Sequence, residues 1–175
     1  MRRKKLDKFV YVEDSVLSRS YCKLLIKNYS SKTKAAEIES HGYSYVNLED
    51  TPIFPKIVNI LKPHWEEYRF RNSGVDYTKD KWGLSSLRFK RFDKGKSFEG
   101  WHSEHCVDYP LRVLSVQFYL SEHNCGTEFI DGCVIKSEVG RLAIFPSYFT
   151  HCHKGQKCPE NKPRYIITGY TEFIC

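Results

Sequence analysis

From Leu84 onward the chain breaks into short β-rich runs separated by turn residues every ten or so positions. A polypeptide patterned this way has few compact solutions other than a β-sandwich or barrel. The predicted strands are Leu84 to Asp93, Arg112 to Leu120, Thr127 to Ile130, Cys133 to Lys136, Arg141 to Phe145 and Arg164 to Phe173. In Arg112 to Leu120 the residues Leu114, Val116, Phe118 and Leu120 alternate with Val113, Ser115, Gln117 and Tyr119. One face is therefore wholly apolar and the other mixed. A mixed inward face is what a barrel with a polar pocket needs. Asp131-Gly132 predicts a two-residue hairpin turn between two of the short strands.

The first half reads as helical support. Asp14 or Ser15 can cap a helix from about Val16 to Tyr29, with Leu17, Tyr21, Leu24 and Leu25 at helical spacing. A second helix begins near Thr51-Pro52 and carries Ile57, Val58, Ile60 and Leu61; Pro63 is expected to end or kink it before His64 to Phe70. Ser30 to Ser40 reads as a helix extension or loop, and Arg71 to Lys81 as a loop. The expected architecture is α+β, mainly β: one domain over residues 1–175, with 1–83 as N-terminal buttressing helices and 84–175 as the β-core.

At 175 residues the chain has room for one domain with a sizeable core. With 41% hydrophobic and 28% charged residues, it is neither disordered nor fibrous. No apolar run approaches the roughly 18 residues of a membrane span. The basic start, MRRKKLDK, lacks the apolar region of a secretory signal, so no export is predicted; Arg2 to Lys5 reads as a frayed terminus. Seven cysteines at irregular spacings, with no CxxC pair, argue against a disulfide framework and against a zinc finger or ribbon. A cytoplasmic location is the default. The net charge of +7 suits solubility or an anionic partner such as nucleic acid, but no RNA-reading motif accompanies it.

Three elements of the β half carry the chemistry: Trp101-His102-Ser103-Glu104-His105 after a Gly-bearing loop, His151-Cys152-His153 after Phe145-Pro146, and Arg164 at the start of the last strand. In extended backbone His102 and Glu104 project to one side and can grip one ion. A second imidazole, at His153, stands 49 residues beyond Glu104 and would complete a facial triad. Two histidines and one carboxylate with open positions suit non-haem Fe(II). Arg164 follows His153 by 11 residues. Its guanidinium fork matches a carboxylate bidentately, as the far end of 2-oxoglutarate requires.

The stretches RFKRFDKGKSFEGWHSEH, RVLSVQFYLSEHNCGTEFID, GRLAIFPSYFTHCHKGQ and PRYIITGYTEF, in that order, resemble the Fe(II)/2-oxoglutarate-dependent oxygenases, in particular the prolyl 4-hydroxylase-like branch with bacterial and phage members. The resemblance is loose from Tyr11 and close from Leu87 to Phe173. It implies a double-stranded β-helix (jelly-roll or cupin-like) core buttressed by N-terminal helices, with the metal at the open end of the barrel. Carried over by position, His102 and Glu104 resemble the HxD/E pair, His153 the distal ligand and Arg164 the 2-oxoglutarate anchor. Glu104 stands where Asp is commoner. Phe92 stands where many prolyl hydroxylases have a Tyr whose hydroxyl helps hold 2-oxoglutarate; Tyr119 and Thr168 are the candidates to replace it.

The resemblance further implies Fe(II), 2-oxoglutarate and O2 as cofactor and cosubstrates, with ascorbate as an accessory reductant. The implied reaction is hydroxylation of a C–H bond with release of succinate and CO2. A prolyl residue of a peptide or protein is the leading prime substrate; a small molecule would serve the same chemistry, and no membrane partner is expected. Two other readings stay open: a nucleic-acid oxidative demethylase, and a non-catalytic cupin-like metal- or sugar-binding barrel. His151 is the rival of His153, and His105 a weaker rival for the metal. Trp101 reads as pocket wall or core filler, Gly126-Thr127-Glu128-Phe129 as a turn before a core strand, and Cys106 and Cys152 as bystanders. His41, His64 and His123 read as surface or loop residues.

Overall fold

The computed structural model describes residues 6–36, 42–77 and 81–174; His41 and the Arg2 to Lys5 run lie outside them. In chain order the elements are β1 (Tyr11–Glu13), α1 (Arg19–Tyr29), β2 (Lys34–Ala35), β3 (Ser44–Asn47), α2 (Phe54–Arg71), β4 (Trp82–Phe92), β5 (Arg112–Tyr119), β6 (Gly126–Phe129), β7 (Val134–Lys136), β8 (Leu142–Pro146), β9 (His153–Gly155) and β10 (Arg164–Phe173). The major sheet runs β1-β8-β5-β10-β4-β3-β2 and the minor sheet β7-β6-β9. Every pairing in both is antiparallel.

The helices differ from expectation at their ends. Ser18, rather than Asp14 or Ser15, caps α1: its Oγ accepts from the Tyr21 amide at 3.2 Å. Asp14 is engaged elsewhere, accepting from Arg141 Nε at 2.6 Å, and Ser15 has a left-handed φ of 59° that no helix can include. α2 continues unbroken through Pro63. Pro63 lies on the exposed side, where the carbonyl that loses its amide partner can be solvated. Buried Ile57, Leu61 and Tyr68 hold the other side of the helix. The segment read as a loop after Arg71 begins instead with a 3₁₀ turn, Ser73–Tyr77.

Two apolar layers sandwich the major sheet. Cys22 and Leu25 of α1 and Ile57 and Leu61 of α2 pack on its outer face against Leu87, Phe89, Val116, Phe118 and Ile167. Each of these fully buried side chains stabilises the fold by about 1.5–3 kcal/mol. The inner face presents Phe92, Tyr119, Ala143, Phe145 and Ile166 to Phe129, Cys133 and Ile135 of the minor sheet and its turn. All of β5 is buried, so its mixed face is interior as expected. Among the described residues no helix is long and apolar enough to cross a membrane.

Two glycines permit this sandwich. Gly132 has φ +85° in the predicted Asp131-Gly132 turn, where the Cys133 amide donates to Asp131 Oδ1 at 2.8 Å. Gly126 opens β6 so close to β7 that a Cβ there would collide with the Ile135 carbonyl oxygen. β6 thus bears out the strand predicted from Thr127 and takes in Gly126 as well, so the Gly126-to-Phe129 stretch is itself strand and not a turn before one. The cysteine spacing argues against a disulfide framework, yet one pair does bond: Cys125 and Cys158, with Cα atoms 5.0 Å apart, form a disulfide across 33 residues. Nothing in spacing marks that pair; only the juxtaposition of the β5–β6 and β9–β10 connections does.

Candidate active site

Strand alternation assembles the site between the sheets. On β10, Arg164, Ile166, Thr168 and Tyr170 share the inner face, while Ile167 turns to the helices. Register places Arg164 opposite Phe92, Ile166 opposite Lys90, and Thr168 between Arg88 of β4 and Gln117 of β5. These residues line a cavity of about 170 Å³ with His102, Glu104, Arg112, Thr127 and His153.

His102 and His153 meet through a backbone bridge, each amide donating to the other's carbonyl at 3.0 and 2.9 Å. Their ring centroids are 4.4 Å apart. His102 Nδ1 lies 2.9 Å from the Gly100 carbonyl and His153 Nδ1 3.0 Å from that of His151. A carbonyl only accepts, so both Nδ1 atoms carry the proton and both Nε2 atoms offer lone pairs. Those Nε2 atoms stand 3.5 and 3.9 Å from the same oxygen, Glu104 Oε1. A backbone carbonyl behind each imidazole is the outer support a metal-binding histidine needs.

Glu104 is itself braced: Tyr170 donates to Oε1 at 3.0 Å and Arg112 Nη1 to Oε2 at 3.0 Å. The Arg112 guanidinium lies 3.6 Å and 3.7 Å from the ring centres of Tyr109 and Tyr170. Burial opposes ionisation of Glu104, yet the surrounding His102, Lys90 and His153 outweigh it and hold the carboxyl well below its usual range. Burial, with His102 adjoining, pushes His153 down to about 4, so its ring is neutral at pH 7. Burial and the Glu104 charge push the Tyr170 hydroxyl up, which keeps it a donor.

On the cavity wall, Arg164 is buried with its guanidinium carbon 4.5 Å from the Phe92 ring centre. Its Nη1 makes long contacts of 3.4 Å to the Gly126 carbonyl and 3.5 Å to Cys125 Sγ. Its Nε and the Thr168 hydroxyl are buried without hydrogen-bond partners among the described residues. Tyr119 does not line the cavity: its hydroxyl donates to Thr127 Oγ1 at 2.7 Å, and Thr127 and Gln117 face the space instead.

Of the expected site residues, His102, Glu104 and His153 come together, and Arg164 and Thr168 line the same cavity. His151 does not join them; its Nδ1 bonds Thr150 Oγ1 at 2.9 Å and its Nε2 lies 3.8 Å from Asp7. His105 turns away, with Nδ1 3.1 Å from the Arg112 carbonyl. Trp101 is neither pocket wall nor core: it is 44% exposed, with Lys154 Nζ 4.5 Å from its ring centre. His123 is buried rather than superficial, and His64 is half-buried with Nδ1 2.9 Å from the Tyr11 hydroxyl. Sequence reasoning overlooked Arg112, Tyr170, Arg88 and Lys90. Alternation from Arg164 would have placed Tyr170 on its face; Arg112 carries no such local signal.

Arg88 and Lys90 give the cavity its electrostatic character. Lys90 is 9% exposed, has no hydrogen bond or ion pair among the described residues, and stands 4.5 Å from the Tyr43 ring centre. Burial, against the pull of Glu104, lowers it to about 8. Arg88 Nε is also buried without a hydrogen-bond partner among the described residues.

Neither a protein-family model nor a curated protein sequence matches the chain. Solved structures do. A viral collagen prolyl hydroxylase from Paramecium bursaria Chlorella virus-1, in complex with 2-oxoglutarate, superposes with a TM-score of 0.72 at 16% identity, over 95% of this chain and 97% of that one. A Pseudomonas putida prolyl-4-hydroxylase gives 0.68 at 15% identity, over 95% and 94%. A prolyl hydroxylase from Trichoplax adhaerens, bound to a peptide of the hypoxia inducible factor oxygen degradation domain, gives 0.71 at 15% identity, over 94% and 84%. These likenesses show the fold expected from the sequence, a double-stranded β-helix with helices buttressing one face.

Proposed function

We propose that the chain is a non-haem Fe(II)- and 2-oxoglutarate-dependent dioxygenase that hydroxylates a C–H bond, with a prolyl residue in an acidic peptide or protein segment as its prime substrate. The observation that carries this reading is one cavity holding both halves of the required chemistry. Two Nε2 lone pairs and an ionised carboxylate converge on its rim, and a buried guanidinium and hydroxyl with unfilled hydrogen bonds stand on its wall. The donor set suits ferrous iron: two neutral imidazoles and one carboxylate, with no thiolate among them. Arg164 Nε and Thr168 Oγ1 suit the far carboxylate of 2-oxoglutarate, since an orphaned buried donor costs about 1–3 kcal/mol until an acceptor meets it.

Bound there, the iron and 2-oxoglutarate supply the oxidising power for C–H hydroxylation, with succinate and CO2 released. The chain's own residues set the stage. Glu104 enters ionised, and Arg112 and Tyr170 hold both its oxygens in place. His102 and His153 enter neutral, their Nδ1 protons kept on backbone carbonyls. Phe92 and Ile166 wall the 2-oxoglutarate region with apolar surface that excludes water. Lys90 and Arg88 leave positive charge that only an anion offsets, which favours carboxylates flanking the reacting residue. The likeness to prolyl hydroxylases supports the prolyl assignment by fold alone.

The test is succinate release under air with Fe(II) and 2-oxoglutarate against three pools: prolyl peptides with Asp or Glu beside the proline, the same peptides with Lys, and methylated oligonucleotides. Stimulation by the acidic peptides, lost in His102→Ala and His153→Ala, is expected. Stimulation by the oligonucleotides alone would transfer the site to nucleic-acid demethylation. Absence of 2-oxoglutarate binding with Mn(II) under nitrogen would leave a non-catalytic barrel.

A further inference from the structure

Away from the cavity rim, a second set of metal-compatible donors closes the gap between the β5–β6 and β9–β10 connections. We propose that His123, Cys125 and Cys158, with Glu160 as the fourth donor, bind a divalent cation of the zinc class when the Cys125–Cys158 disulfide is reduced. One ring nitrogen of His123 and the two sulfurs lie within 4.8 Å of one another, and all three residues are buried; Glu160 lies outside that group and reaches it through His123, its Oε2 3.5 Å from Nδ1. A disulfide by itself accounts for the sulfurs but not for what faces them.

His123 is 4% exposed, and its Nε2 lies 3.2 Å from the Pro163 carbonyl. That carbonyl requires the proton on Nε2, so Nδ1 presents a bare lone pair. Nδ1 and the buried Glu160 Oε2 stand 3.5 Å apart, an ion pair only when the imidazole is protonated, which burial disfavours; with the ring neutral neither atom has a hydrogen-bond partner among the described residues. Glu160 is oriented by its other oxygen, which accepts from the Asn124 amide at 2.6 Å. Two electron-rich buried atoms thus face each other with nothing between them. A cation relieves both, and the carbonyl behind His123 is the outer support of a metal-binding imidazole.

The donors select the metal. Two thiolates, one imidazole and one carboxylate make a four-coordinate set that zinc accepts at about 2.3 Å to sulfur and about 2.0–2.2 Å to nitrogen and oxygen, and that magnesium or calcium would not. Metal and disulfide exclude each other, because both sulfurs are consumed by the S–S bond. A phosphine opens that bond with water: phosphorus gives up two electrons and becomes a phosphine oxide, and two thiols form. Each thiol then loses its proton to solvent as it ligates. The bound cation pins the segment leading into β6 to the segment leading into β10. Arg164, whose Nη1 touches Cys125 Sγ at 3.5 Å, sits at that junction.

The full chain is reduced with tris(2-carboxyethyl)phosphine, its thiols counted in denaturant, and then titrated with Co(II) under nitrogen. The cavity-rim triad has no sulfur, so a thiolate-to-cobalt charge-transfer band reports the second site. The band is expected in the reduced protein and in His102→Ala, and lost in Cys125→Ser and Cys158→Ser. In His123→Ala cobalt should bind at least about tenfold more weakly. In the unsubstituted chain, one equivalent of Zn(II) should shield Cys125 and Cys158 from alkylation, read by mass spectrometry, which does not depend on the variants folding. A disulfide that survives the phosphine, a reduced protein without the band, a band retained in both serine variants, or unshielded thiols would each overturn the proposal.

Discussion

Tyr170 donates its hydroxyl to Glu104 Oε1 at 3.0 Å, the oxygen that the Nε2 atoms of His102 and His153 also face. One strand residue, two places from Thr168 and six from Arg164 on the same face of β10, thereby aims the only carboxylate in the triad. Tyr170→Phe keeps the ring that Arg112 stacks on and removes that aim. Affinity for Mn(II), measured calorimetrically under nitrogen, should fall about 10–100-fold, with a stability loss near 1 kcal/mol. Unchanged Mn(II) affinity would show that Arg112 alone suffices to orient Glu104.

Arg164→Lys retains a cation but loses the fork and Nε. The apparent KM for 2-oxoglutarate should rise about 10–100-fold, the equivalent of one charge-assisted hydrogen bond, with a smaller change in kcat. Saturation kinetics of succinate release separate the two. A kcat loss at unaltered KM would remove Arg164 from the clamp.

Lys90 stands at about 8 in the fold against an ordinary 10.5. Below pH 8 it is charged in both folded and unfolded chains, so the cost of burying it is fully present there. The cost fades as pH rises from 8 to 10.5. Lys90→Met should therefore be more stable than the parent at pH 7, by at most about 3 kcal/mol, with the advantage shrinking by about pH 10. Urea midpoints at the two pH values decide it, and a constant difference would contradict the buried-charge reading. The same variant should lose preference for acidic peptides.

Gly126→Ala puts a methyl onto the Ile135 carbonyl and forces β6 from β7, where Gly126 pairs with Lys136 and Thr127 with Ile135. A destabilisation of about 1–3 kcal/mol is expected. Gly132→Ala meets open space and bears only the left-handed backbone cost of roughly 1–2 kcal/mol. Thermal melts that rank Gly132→Ala as the more damaging would refute the close approach of β6 and β7.

Much of the β-core was legible because its strands are long enough to display alternation. β4 and β5 begin or end within two residues of expectation, and β10 matches at both ends. β1, β2, β3 and β9 were not legible: each has two to four residues and owes its conformation to a neighbour distant in sequence, such as Tyr11 opposite Ile144. The continuation of α2 through Pro63 has the same origin, since packing of Leu61 and Tyr68 outweighs one missing hydrogen bond.

For the site, residue types and order along the chain determined which imidazoles, carboxylate and guanidinium were candidates, because period-two alternation and ligand chemistry are local properties. Tertiary structure decided the rest. It turned His153 rather than His151 toward Glu104, gave that carboxylate Arg112 and Tyr170 as braces, and left Lys90 without an ion pair among the described residues. It also joined Cys125 to Cys158 beside a buried His123. Those outcomes depend on which strands become neighbours, and a pairing across tens of residues leaves no periodic trace in the chain that forms it.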